Sequence, residues 1–123
     1  MSSIVVVEDS PTQAQYIAAL LSEMGFEVFV AYDGAEGLQL VDQVMPDAVV
    51  LDINLPSMNG VQVCRRLKRD HKLAHIPVIM LTSADGSDDI LYGLDAGATD
   101  YIPKDDYSAD NLVATLGAIG LLA

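Results

Sequence analysis

The sequence predicts an α/β fold: a doubly wound parallel sheet of five strands with five helices covering both faces. Three observations predict it. Short apolar runs alternate with amphipathic stretches along the whole chain. The runs at Ser3–Val7, Asp47–Leu51 and Ile76–Leu81 are apolar at nearly every position, as strands buried on both faces must be. Cap and turn residues mark most of the transitions. No repeat, low-complexity tract or linker interrupts the pattern, so residues 1–123 read as one domain.

The elements follow in order. Ser3–Val7 is a short buried strand. Ser10-Pro11-Thr12-Gln13 then starts a helix, with Ser as N-cap, Pro in the first turn and Gln to close a capping box. Ile17, Leu20, Leu21 and Met24 continue at helical spacing until Gly25 ends it. Glu27–Ala31 is the second strand. Asp33-Gly34-Ala35-Glu36 is a further capping box, opening a helix through about Val44. Asp47–Leu51 is an apolar strand reaching Asp52, and Ile53–Met58 is a loop. Asn59-Gly60 starts a third helix carrying Val61, Cys64 and Leu67. Ile76–Leu81 is a fourth strand reaching Thr82. Asp85 to Ala98 forms a fourth helix with Ile90, Leu91 and Leu94 on one face. Thr99–Ile102 is the fifth strand, and Ser108 caps a last helix that runs to the end of the chain.

Composition narrows the function. Hydrophobic residues make up 51% of the chain, which argues against disorder. No apolar run approaches membrane-spanning length, and Glu8-Asp9 follows the first apolar run too closely for a secretory signal. Cys64 is the only cysteine, so no internal disulfide forms. The expected location is the cytoplasm. Eighteen acids face six Lys plus Arg, a net charge of −12, which disfavours direct binding to nucleic acid. Five of the six basic residues (Arg65, Arg66, Lys68, Arg69 and Lys72) fall in one short stretch, either a solvated helix face or a docking patch. Lys104 stands alone.

In an open α/β sheet, ligands bind at the carboxyl ends of the strands. The first strand ends in Glu8-Asp9, the third in Asp52 and the fourth in Thr82-Ser83, and Lys104 follows the fifth. If the first and third strands are neighbours, three carboxylates converge. Such a cluster either raises its own pKa values or recruits a cation; all-oxygen donors favour Mg²⁺, Mn²⁺ or Ca²⁺ over Zn²⁺, and few direct carboxylates with several waters suit Mg²⁺ holding a phosphoryl group. These parts fit phosphoryl transfer. Asp52 would be the nucleophile, Glu8 and Asp9 the metal site, and Thr82 and Lys104 the groups that stabilise the phosphoryl oxygens. Singly, each residue has an ordinary explanation as a cap, a turn or a solvated charge. Together they close one edge of one sheet.

The chain resembles the response-regulator receiver family of two-component signalling, over essentially its whole length. The resemblance rests on Val5-Val6-Val7-Glu8-Asp9-Ser10, on Leu51-Asp52-Ile53-Asn54-Leu55-Pro56 with Met58-Asn59-Gly60, on Pro77-Val78-Ile79-Met80-Leu81-Thr82-Ser83-Ala84, and on Gly97-Ala98-Thr99-Asp100-Tyr101-Ile102-Pro103-Lys104. It implies a flavodoxin-like strand order 2-1-3-4-5. It implies that Asp52 accepts phosphate from a histidine kinase or phosphotransfer protein. Asp9 would bind Mg²⁺ directly, Glu8 mainly through water, and Asn54 would add its backbone carbonyl. Thr82 and Tyr101 would form a switch pair. The chemistry would be self-catalysed transfer and autodephosphorylation, without turnover of an external substrate.

The family pattern is broken at one place. Receivers usually follow this lysine with a proline in a cis peptide bond, whereas here Asp105 follows and Pro103 precedes it. A cis bond before a non-proline residue costs about 2.5–4 kcal/mol, so a trans Lys104–Asp105 bond is expected. The stretch Leu112 to Ala123 carries no charge, which suits a helix that buries its outer side in a homodimer, an output partner or a continuation of the chain. Two other readings compete with this one. One is a degenerate receiver that binds partners without phosphorylation. The other is an aspartyl-nucleophile phosphohydrolase, which would be expected to carry a second Asp where Asn54 stands.

Overall fold

A computed structural model of the chain describes residues 2–55, 58–82, 97–103 and 108–121. Five strands form one parallel sheet: β1 (Ser3–Val7), β2 (Glu27–Ala31), β3 (Ala48–Asp52), β4 (Val78–Thr82) and β5 (Asp100–Pro103), in the order β2-β1-β3-β4-β5. Four helices lie among the described residues: α1 (Pro11–Glu23), α2 (Gly34–Val44), α3 (Gly60–Arg69) and α4 (Ser108–Ala118). The helix expected between β4 and β5 lies outside the described residues, apart from Gly97 and Ala98 at its expected end. Those two are not helical, and Gly97 has φ +96°.

Side-chain alternation divides the core. Val5 and Val7 of β1, Val49 and Leu51 of β3, and Val78 and Met80 of β4 pack with Val41 of α2 and Val63, Cys64 and Leu67 of α3. The intervening Ile4, Val6, Ala48, Val50, Ile79 and Leu81 pack with Ile17 and Leu21 of α1 and Leu112 and Leu116 of α4. Burial on both faces explains the continuous apolar runs of β1, β3 and β4. β2 is an edge strand and is less buried.

The helix starts follow their caps. Ser10 Oγ accepts the Gln13 amide at 3.4 Å, Asp33 Oδ1 accepts the Glu36 amide at 2.8 Å, and Asn59 with Gln62 forms a full capping box. The helix ends needed more than composition. At α1, Gly25 at φ +96° lets the Phe26 amide reach the Leu21 carbonyl at 3.1 Å while its own amide reaches Ser22. The last helix stops at Ala118 rather than at the chain's end. Gly120 at φ +86° sends its amide to Gly117, and the Leu121 amide bonds Leu116, so the same closing motif halts the helix. Three strand limits also shift. Asp47 lies before β3, where its carboxylate accepts the Ser3 amide at 2.8 Å. β4 begins at Val78, after Pro77, which has no amide hydrogen to give a ladder. β5 runs from Asp100 rather than Thr99, whose Oγ1 accepts the Val78 amide at 3.3 Å.

Candidate metal centre

The pairing of β1 with β3 runs Ile4 to Ala48 through Val7 to Leu51. Continued by one residue, it brings Glu8 beside Asp52. Glu8, Asp9 and Asp52 each offer a carboxylate oxygen within 4.8 Å of the other two. Glu8 and Asp52 are almost fully buried, at 1% and 2% exposure, while Asp9 is exposed. The convergence expected for these three acids is therefore present.

The backbone around the cluster is tightly held. The Glu8 amide donates to Ala31 at 3.0 Å and the Asp9 amide to Glu8 Oε2 at 3.1 Å. The Asn54 amide donates to Asp52 Oδ1 at 3.1 Å, turning the chain back over the carboxylate it follows. The Gly60 amide donates to the Ile53 carbonyl at 2.8 Å. A Cβ on Gly60 would run into the Asp52 carbonyl oxygen and the Ile53 Cα, so only glycine lets α3 start this close to the end of β3.

Two buried like charges this close repel by roughly 3 kcal/mol at an effective dielectric of about 20. Asp9 adds a third carboxylate at the rim. Hard oxygen donors around one point, one of them open to solvent, fit a divalent cation that keeps part of its water shell. The donor set thus suits Mg²⁺ or Mn²⁺, and it contains none of the sulfur or imidazole ligands that favour zinc.

The remaining expected site residues divide. Leu81 of β4 pairs with Asp52, and Thr82 with Pro103, so the backbone of Thr82 closes the strand beside β3. Its side chain lies outside what is described, as do Lys104, Asp105 and the bond between them. Tyr101 is half-buried against the core cluster that contains Met80, and its hydroxyl oxygen is shielded from solvent.

At the other end of α3, away from the acid cluster, one residue of the basic stretch is more than a solvated charge. Lys68 Nζ donates to the carbonyls of Ala74 at 3.1 Å and Ile76 at 2.7 Å, tying the helix's last turn to the segment entering β4. Burial pushes its pKa below the ordinary lysine value, with the Cys64 thiol acting weakly in the other direction.

A five-stranded parallel sheet of this order, with a buried acid pair closing its central strands, defines a receiver-type α/β domain. The model of the response regulator receiver domain family matches residues 4–116, and the chain belongs to that family. It is 37% identical to Protein PilH of Pseudomonas aeruginosa over 119 residues, covering 97% of this chain and 98% of PilH. It is 40% identical to the sensory transduction protein RegX3 of Mycobacterium tuberculosis over 119 residues, 97% of this chain but 51% of RegX3. The chain spans about half the length of several curated relatives it matches. Among solved structures it resembles the receiver domain of a Pseudomonas aeruginosa sensor histidine kinase with a magnesium ion coordinated in its active-site cleft. That match has a TM-score of 0.86 and 28% identity, covering 97% of this chain and 98% of the other.

Proposed function

We propose that this receiver domain is a phosphoacceptor and that Asp52 carries the phosphoryl group. The observation that carries the reading is the cluster of Glu8, Asp9 and Asp52, with Asp52 buried at the end of a central strand. Glu8, Asp9, Asp52 and the Asn54 carbonyl would hold Mg²⁺. When bound, the ion supplies neutralisation of the carboxylates and of the phosphoryl oxygens. A carboxylate oxygen of Asp52 attacks the phosphorus of a phosphohistidine on a kinase or phosphotransfer protein. The P–N bond breaks, its electron pair stays on the imidazole nitrogen, and an acyl phosphate forms. Family resemblance assigns Thr82 and Lys104 to the phosphoryl oxygens. It also makes Tyr101 the partner of Thr82 in a switch, whose small free-energy gap the new charge-assisted contacts bias. An output partner, or a second copy, would read that switch, on the surface that includes the uncharged residues 112–118 of α4. No described helix is long and apolar enough to cross a membrane, and the reading places the domain in the cytoplasm.

The test is intact-mass measurement after incubation with Mg²⁺ and acetyl phosphate. A single phosphoryl adduct is expected, absent without Mg²⁺ and absent in Asp52→Asn. No adduct on the wild-type chain, from this donor or from a phosphorylated kinase, would leave a phosphorylation-independent binding module as the better reading.

A further inference from the structure

Outside the acid cluster, the strongest chemical feature is on α3. A cleft of about 380 Å³ is lined by Met58, Gln62, Arg65, Arg66 and Arg69. Positions 62, 65, 66 and 69 recur at helical spacing, so they share one face. Gln62, Arg66 and Arg69 are exposed. The chain is strongly acidic, yet among the described residues no carboxylate pairs with Arg66 or Arg69. The helix macrodipole favours cations in this last turn, but it acts equally on any cation and does not demand a face built of arginines.

We propose that this face binds an extended acidic segment of a partner protein. Arg65 and Arg69 are four residues apart, which is about 6 Å along the helix axis. Alternate residues of an extended chain are about 6.6 Å apart, so carboxylates at every second position advance by about the rise between these two helix positions. Guanidinium groups bind carboxylates through two parallel hydrogen bonds. Gln62 accepts the Asn59 amide through Oε1 at 3.1 Å, which fixes the carbonyl end of its side chain and leaves its NH₂ as a donor for a peptide carbonyl. Met58 supplies apolar surface to one flank. The lining holds no aromatic ring to stack a nucleobase and no glycine-rich backbone to cradle a phosphate. A second copy of the chain is disfavoured by its net charge of −12, which a short acidic segment does not carry.

The test uses a fluorescein-labelled peptide of alternating Glu and Ser, with anisotropy read against the full chain at low ionic strength. Binding is expected to weaken as salt rises. It should weaken at least about tenfold in Arg66→Glu/Arg69→Glu and stay within about threefold in Arg66→Lys/Arg69→Lys. Circular dichroism on each variant checks the fold, and Arg66→Gln/Arg69→Gln replaces the reversal should it not fold. Equal binding by the reversed variant, or by a peptide with Gln in place of Glu, overturns the proposal. So does displacement by inorganic tripolyphosphate at lower concentration than by unlabelled peptide, which would mark a phosphate site. Self-association of the unliganded protein in sedimentation, abolished by the charge reversal, would identify a second copy as the occupant and equally overturn it.

Discussion

At the scale of single residues, the same buried environment acts in opposite directions on two neighbours. Burial pushes the Cys64 thiol above its ordinary pKa of 9.0, against the pull of Lys68 and Arg65. It pushes the Lys68 ammonium below 10.5. For Cys64 the folded state holds the proton more tightly than the unfolded state. Its contribution to stability is therefore complete below pH 9.0, and it is lost as pH rises from 9.0 toward the raised folded value. Lys68 runs the other way: the unfolded chain holds its proton longer, so stability rises with pH up to 10.5. Cys64→Ala isolates the first effect. The wild-type advantage over this variant, of about 1–2 kcal/mol at pH 7, should shrink at pH 10. Urea midpoints at both pH values measure it, and an unchanged gap would mean that the thiol titrates alike in both states. The positions that composition did not reveal are of this kind. Asp47 looks like the first residue of a strand until its carboxylate is seen to accept the Ser3 amide. Lys68 looks like one more solvated charge until its two carbonyl partners are seen. Both depend on residues distant in the sequence or on a loop's path, which local pattern does not encode.

At the scale of elements, apolar runs and caps were legible because each is a local code. β1 and β2 match their expected limits, and Ser10 and Asp33 cap their helices, though of the described helices only α3, at Asn59 and Gln62, shows the reciprocal box that was expected at α1 and α2. Termini were legible in part. α2 ends at Val44 as expected, and its cap Met45 takes φ 51°, a left-handed conformation without glycine. The signal was Pro46, which bars the residue before it from the helical region. α4 stops short of the chain end at a motif whose only mark is Gly120. Gly25 allows the backbone effect to be measured alone, because a Cβ there would meet nothing within 4 Å. Gly25→Ala should cost about 1 kcal/mol, and Gly25→Asn less, since Asn tolerates positive φ. Chemical denaturation of both variants tests this. Equal stability of the alanine variant would show that the turn relaxes to another conformation.

At the scale of the whole molecule, acidity and the metal centre are one subject. A chain of net charge −12 repels itself, and any salt relieves part of that. The acid cluster adds a local repulsion that a bound divalent cation would relieve directly. MgCl₂ should therefore raise the Tm of the wild type more than NaCl at equal ionic strength. The gain is about 2.7 kcal/mol at a hundredfold excess over Kd. Asp52→Asn should be more stable than wild type without divalent ions, by roughly 1–3 kcal/mol, and should gain about equally from both salts. Calorimetry in the two salts separates the outcomes, and a wild type indifferent to the choice would remove the metal from the proposed function. The acid cluster was legible in outline because Glu8, Asp9 and Asp52 close strands that the order β2-β1-β3-β4-β5 makes neighbours. The Thr82 side chain and Lys104 lie outside the described residues.

The strand order has a consequence for how the protein comes into being. β1 lies between β2 and β3, so the first half of the chain, through Asp52, contains three adjacent strands and all three acids of the cluster. β4 and β5 add only to the β3 side. During synthesis the N-terminal residues emerge first. All three carboxylates are therefore synthesised before β4 and β5, and a bound cation would stabilise the pairing of β1 with β3 that holds them together.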